Sequence, residues 1–299
     1  MLVEIENDSI IKLSSVVGET PLVKISDRIY AKLEGQNPSG SIKDRMATFI
    51  LDDAEKNGTL KKGDTIIEAT SGNSGIAFAF LGAERGYKVK IVMPCNMSNE
   101  RKQMLRLYGA ELIEVDAGDF DQAIRLRDEI AMDKGYFNPK QFSNPLNVNA
   151  HYKGTALEIL QQHTHKIAAF VAGTGTGGTL MGTSRRLKLY HPSMKTVAVE
   201  PAESPVMSGG EPGIHGIQGI GDGSKFLVNL DEVDDIIIIK TEEAKARARR
   251  LSNENGLFVG ISSGANVLGC ERLLDKYPKI EGDIITVLAD RGERYLSCL

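Results

Sequence analysis

Short β-branched runs alternate with amphipathic stretches along almost the whole chain, and this alternation limits the fold more than any other feature. Extended runs are expected at DTIIEA (64–69), VKIVMP (89–94), ELIEV (111–115), IAAFVAG (167–173), TVAVE (196–200), DIIIIK (235–240) and DIITVLA (283–289). Helical periodicity fills the intervals at 42–57, 74–85, 99–108, 120–134, 155–162, 179–190, 241–255 and 265–277. Strands alternating with helices imply parallel sheets covered by helices on both faces. Near-continuous apolar strands such as DIIIIK suit sheets buried on both sides. Gly58, Gly86, Gly109, Gly135 and Gly256 each follow a helical run, as C-terminal caps do. The change of character over 135–150 marks the expected domain boundary, with a smaller domain at 36–140 and a larger one at 141–299 joined by the arm 1–35.

With a net charge of −4 and no long basic run, neither nucleic acid nor an anionic membrane is expected as a partner. Cys95, Cys270 and Cys298 form no CxxC pair, and an odd number argues against a disulfide framework, so a reducing cytoplasmic setting fits. The acidic start MLVEIENDSIIKLSS has no apolar signal-peptide core, and no apolar run approaches the length of a membrane span. His163 and His165 lack metal-ligand spacing; no metal is expected, and both histidines are expected on the surface.

Chemistry concentrates in a few strand–loop–helix junctions. EATSGNSG (68–75) places Thr70, Ser71, Asn73 and Ser74 at a helix N-terminus, where free backbone N–H groups favour an anion the size of a carboxylate. In GTGTGGT (173–179), glycines and threonines without a charge suit a phosphate held by amides and hydroxyls. The run NPSGSIKDRMA (37–47) puts Lys43 in the first turn of a helix. A cation is disfavoured there, which favours a neutral, nucleophilic amine. VGISSGAN (259–266) again puts hydroxyl residues before a helix, and QFSNPLN (141–147) offers Gln141 and Asn144.

Taken in order and spacing, PSGSIKDR, EATSGNSG, QFSNPLN, GTGTGGT, GISSGA and DRGERYLS resemble the cysteine synthase (O-acetylserine sulfhydrylase) family of β-family pyridoxal-phosphate enzymes, from about Gly18 to the C-terminus. The resemblance implies a fold type II enzyme: two doubly wound αβα domains with pyridoxal 5'-phosphate in the cleft between them, usually as a homodimer. It implies that Lys43 holds the cofactor as a Schiff base and later moves the α-proton, and that Asn73 contacts the phenolic oxygen. Gly175, Thr176, Gly177, Gly178 and Thr179 would bind the phosphate, and Ser262 would meet the pyridine nitrogen. Thr70, Ser71, Ser74 and Gln141 would take the α-carboxylate of a small amino-acid substrate. The implied reaction is β-replacement through an α-aminoacrylate, with a thiol or sulfide as nucleophile.

In GIQGIGDGSKF (216–226) the family usually carries a small apolar residue where this chain has Asp222. A carboxylate beside the β-substituent could protonate a departing thiol or activate water or a second thiol. Ala289 stands where a proline is common, which concerns only the turn. Three readings stay open: a cysteine synthase using an activated serine and sulfide; a sulfide-releasing enzyme that turns cysteine into serine or lanthionine; and a non-catalytic binding homologue.

Overall fold

The computed structural model describes residues 11–70 and 72–299; the expectation for Ser71 lies outside the described residues. In chain order the elements are β1 (Leu22–Ser26), β2 (Ile29–Leu33), α1 (Lys43–Lys56), β3 (Thr65–Ala69), α2 (Asn73–Arg85), β4 (Lys88–Pro94), α3 (Asn99–Leu107), β5 (Glu111–Val115) and α4 (Phe120–Lys134). They continue with α5 (Pro145–Ala150), a π-helical turn (His151–Thr155), α6 (Ala156–Gln162), β6 (Ile167–Gly173), α7 (Gly178–Leu187), β7 (Lys195–Pro201), β8 (Asp235–Ile239), α8 (Thr241–Asn255), α9 (Ile261–Lys276) and β9 (Asp283–Leu288).

The strands form two sheets, ordered β1-β2-β9-β6-β7-β8 and β3-β4-β5. Every pairing is parallel except the β1–β2 hairpin. Such sheets must bury both faces, and each does. In the larger one, Val171, Val199 and Ile237 pack on one side against Ala244, Leu251 and Ala265 of α8 and α9. Phe170, Ala198 and Val287 pack on the other against Ile159, Leu180 and Met181 of α6 and α7. The smaller sheet repeats the pattern, with Ile66 and Ile91 under α1 and α2, and Ile67, Val92 and Val115 under α4. The α/β class and the doubly wound layering are therefore those read from the sequence. The five expected capping glycines all adopt positive φ.

Two polar assemblies fix the cleft between the sheets. In the first, the Arg45 guanidinium donates to Glu34 and Glu158, and Lys32, fully buried, donates to Glu158 Oε2 at 2.7 Å and to the Thr20 carbonyl. This anchors the first turn of α1 to β2 and α6. In the second, the segment after β9 grips the loop before α1. Ala289 O accepts from Ile42 N at 2.9 Å, Arg291 Nε donates to Gly35 O at 2.6 Å, and Arg294 donates to the Ser39 and Gly40 carbonyls.

One expectation needs correction. His163 is not a surface histidine: it is buried, with Nε2 3.2 Å from Asp283 Oδ2 and its ring against Tyr30. Among the described residues no cluster suited to a metal occurs, and no helix is long and apolar enough to cross a membrane. All three cysteines are free.

Candidate active site

Parallel α/β sheets expose their ligand-binding loops at the carboxyl ends of the strands, and the cleft here is built from such loops. Behind β6, residues 174–177 turn into α7; behind β3, Thr70 leads into α2; behind β9, Ala289 and Asp290 face the start of α1. The deeper part of the cleft is lined by Lys43, Asn73, Gly175, Thr176, Gly177, Thr179 and Ser262, with Asn266 and Ala289 behind them. The adjoining part is lined by Lys43, Thr70, Asn73, Ser74, Phe120, Gln141, Phe142, Thr176, Gly219 and Asp222. Lys43, Asn73 and Thr176 belong to both, so the two form one continuous site.

Lys43 opens α1. Burial pushes its amine below the ordinary lysine value, while Asp222 and Asp290 pull it back up. Asp44, beside it, accepts from Ser39 N at 2.7 Å and from the Ser39 hydroxyl, which closes the tight PSGS loop; burial raises its carboxyl to about 6. Gly40, with φ +89°, allows that loop to turn directly over the Arg294 guanidinium. Asn73, the first residue of α2, donates from Nδ2 to Asp290 Oδ2 at 2.6 Å, and its own Oδ1 is buried without a partner. A buried amide oxygen without a protein partner is an acceptor that a ligand in the cleft can engage.

The 173–179 loop is held from beneath. Gly177 has φ +86°, and a side chain there would meet Val228; a Cβ on Gly175 would lie 2.6 Å from Gly219 O. Thr179 Oγ1 is 3.2 Å from His151 Nε2, and His151 Nδ1 is 2.9 Å from Thr155 Oγ1. Burial, helped by nearby Lys43 and Arg45, holds this imidazole well below the usual histidine range, hence neutral. Of the two serines opening α9, Ser263 accepts from Ala289 N at 3.0 Å, whereas Ser262 lines the cleft.

On the α2 side, Thr70 Oγ1 accepts from Gly72 N at 3.0 Å and Ser74 Oγ donates to Gln141 Oε1 at 2.6 Å. Gln141 is backed by Glu68, whose Oε2 accepts from Gln141 N at 3.0 Å while Arg127 holds Oε1. Burial pushes the Glu68 carboxyl up, and Arg127 pulls it down. Asp222 faces the cleft and also lines an outer groove with Phe120, Ile214 and His215. Burial raises its carboxyl, against the pull of Lys43, His215 and Arg101.

The described candidate residues therefore meet in one site, apart from Gly178, which does not line the cleft and packs instead against Asn147. Asn144, also singled out, instead caps α5, accepting from Leu146 N at 3.0 Å. Residues the sequence reading passed over are Glu68, Asn147, Asn266 and Asp290. Their signal was weak: polar residues at strand ends and helix starts, where caps and turns are commoner.

A family model described as pyridoxal-phosphate dependent enzyme matches residues 13–290. The chain belongs to this family. A cysteine synthase of Staphylococcus aureus is 43% identical over 297 residues, 95% of this chain and 95% of its own. Among solved structures, a hydrogen sulfide-producing enzyme from Fusobacterium nucleatum is 41% identical, covering 96% of this chain and 90% of that one, with a TM-score of 0.90. O-ureido-L-serine synthase is 36% identical, covering 96% and 94%, with a TM-score of 0.91. The family's cofactor suits this cleft: a buried amine, an orphaned amide oxygen, and a charge-free loop whose backbone nothing larger than glycine could form at Gly175 and Gly177.

Proposed function

We propose that the protein replaces the β-substituent of a small amino acid, with the cysteine synthase reaction, O-acetylserine plus sulfide to cysteine plus acetate, as its main activity. The observation that carries this is the meeting of Lys43, Asn73 and the 173–179 loop with Thr70, Ser74 and Gln141 in one cleft. When bound, pyridoxal phosphate supplies an aldehyde for the substrate amine and an electron-withdrawing ring. Gly175, Thr176, Gly177 and Thr179 would hold the phosphate, Asn73 the phenolic oxygen and Ser262 the ring nitrogen, while Gly178, whose N–H donates to Thr176 Oγ1, would support the loop from behind. Ser262 is a neutral hydroxyl rather than a carboxylate, so it does not fix a proton on that nitrogen, which suits β-chemistry. Thr70, Ser71, Ser74 and Gln141 orient the substrate carboxylate. Lys43, whose amine burial pushes below the ordinary lysine value, takes and returns the α-proton. Phe120 and Phe142 exclude water from the β-carbon side.

A second reading is favoured by Asp222, whose carboxyl faces the same cleft and interacts with Lys43. Such a group can protonate a departing thiol, which makes cysteine itself a substrate, with sulfide released and serine or lanthionine formed. The deciding experiment is product identification from O-acetylserine plus sulfide and, separately, from cysteine alone. No turnover of either substrate by cofactor-loaded protein would leave the non-catalytic reading. We also propose domains at 36–140 and 141–299 with the arm 1–35, a homodimer as the family resemblance implies, and a cytoplasmic setting, supported by three unpaired cysteines.

A further inference from the structure

Asn147, the third residue of α5, is 2% exposed and lies behind both halves of the cleft. We propose that Asn147 is a positioning residue that fixes the Thr176 hydroxyl as a hydrogen-bond donor to the cofactor phosphate and ties it to the Gln141 backbone. This rests on the cofactor reading above.

Asn147 Nδ2 donates to Gln141 O at 2.9 Å and to Thr176 Oγ1 at 2.9 Å. An amide nitrogen carries two hydrogens and accepts nothing, so both hydrogens are engaged. The amide cannot be turned over, because its oxygen would then face the Gln141 carbonyl, acceptor against acceptor. Thr176 Oγ1 must therefore accept here, and it also receives Gly178 N at 3.4 Å. A hydroxyl has one hydrogen and two lone pairs. With the lone pairs engaged, only the hydrogen remains for a group in the cleft that Thr176 lines. That group must be an acceptor, as a phosphate oxygen is. The same contact explains Gly178: a Cβ there would lie 2.0 Å from Asn147 Oδ1, so only glycine lets the amide reach the first turn of α7. The substrate-side loop and the phosphate loop are thus joined through one side chain.

Asn147→Asp keeps the shape and reverses the polarity, since a carboxylate only accepts. Thr176 would turn to donate to it and be lost to the phosphate. Apoprotein of the wild type, Asn147→Asp, Thr176→Val and the double variant is titrated with pyridoxal phosphate and with pyridoxal, which lacks the phosphate, following absorbance. The expected result is a Kd for pyridoxal phosphate raised about ten- to a hundredfold in Asn147→Asp, an unchanged Kd for pyridoxal, and a double variant no weaker than the weaker single one. Equal weakening of both ligands indicates a merely structural role and overturns the proposal. An unchanged Kd for pyridoxal phosphate in Asn147→Asp, beside a wild type that binds it, also overturns it while leaving the cofactor reading intact. A wild type that takes up neither ligand overturns both. Should Asn147→Asp not fold, Asn147→Ser, which adds no charge, is expected to lose severalfold in pyridoxal phosphate affinity and nothing in pyridoxal affinity; no selective loss overturns the proposal.

Discussion

Asn73 Nδ2 and Asp290 Oδ2 lie 2.6 Å apart, joining the first residue of α2 to the end of β9 across the cleft. Tyr295 OH donates to the same carboxylate oxygen at 2.6 Å. Asp290 thus holds the Asn73 amide in one orientation while lying 1% exposed itself. Asp290→Ala should lower stability by about 3 kcal/mol, because two buried donors lose a charged acceptor. It should also weaken cofactor retention. Urea unfolding of the apoprotein and dialysis of the holoprotein measure the two effects, and a full-strength variant in both would remove Asp290 from this role.

Burial pushes the Lys43 amine below 10.5, so the unfolded chain binds a proton that the folded chain releases. Stability carried by this residue therefore falls as pH drops below 10.5 toward the folded value. Lys43→Met should make the apoprotein more stable than wild type at neutral pH, with a gap that closes as pH rises toward 10.5. A gap that does not change with pH would contradict the buried amine. The same variant should lose the covalent attachment of cofactor that borohydride fixes in the wild type, read by mass spectrometry.

Asp222→Asn preserves shape and abolishes titration. Proton transfer to a leaving thiol is worth roughly a hundredfold or more, so sulfide release from cysteine should fall by about that factor. Acetate departs from O-acetylserine without such help, and that half-reaction should change little. Equal effects on both substrates would return Asp222 to an ordinary loop position.

Glu158, paired with Arg45 and Lys32, has its carboxyl lowered from 4.5 to about 2, although burial alone would raise it. A depressed carboxyl contributes stability above its unfolded value and loses it as pH falls through the folded one. The wild-type urea midpoint should decline between about pH 5 and pH 2. Glu158→Gln should start lower and show a flatter acid limb.

The seven extended runs and most helices were legible in the sequence because each carries its own periodicity. The hairpin of β1 and β2 was not. Lys32, a charged residue in the middle of β2, is fully buried only because Glu158 and Gln162 arrive from far along the chain. Helix α5 was also missed: six residues opened by a proline are too few to show a period. At the site, Lys43, Asn73 and the glycine loop declared themselves through motif chemistry. Asp290 and Asn147 did not, since their meaning lies in partners 217 and 29 residues away.

The larger sheet takes its strands from both sides of the smaller one, and Ile29 of β2 pairs with Ile284 of β9. On the ribosome this has a cost in time. Strands β3, β4 and β5 are neighbours in sequence and can assemble while synthesis continues. The β1–β2 hairpin must wait for a strand about 250 residues later, roughly 10–50 s at ordinary elongation rates. Until then the hairpin's inner edge is unpaired, an invitation to chaperones and to other nascent chains. Since Asn73 meets Asp290 only when β9 arrives, the cleft is completed last, after nearly all of the chain has emerged.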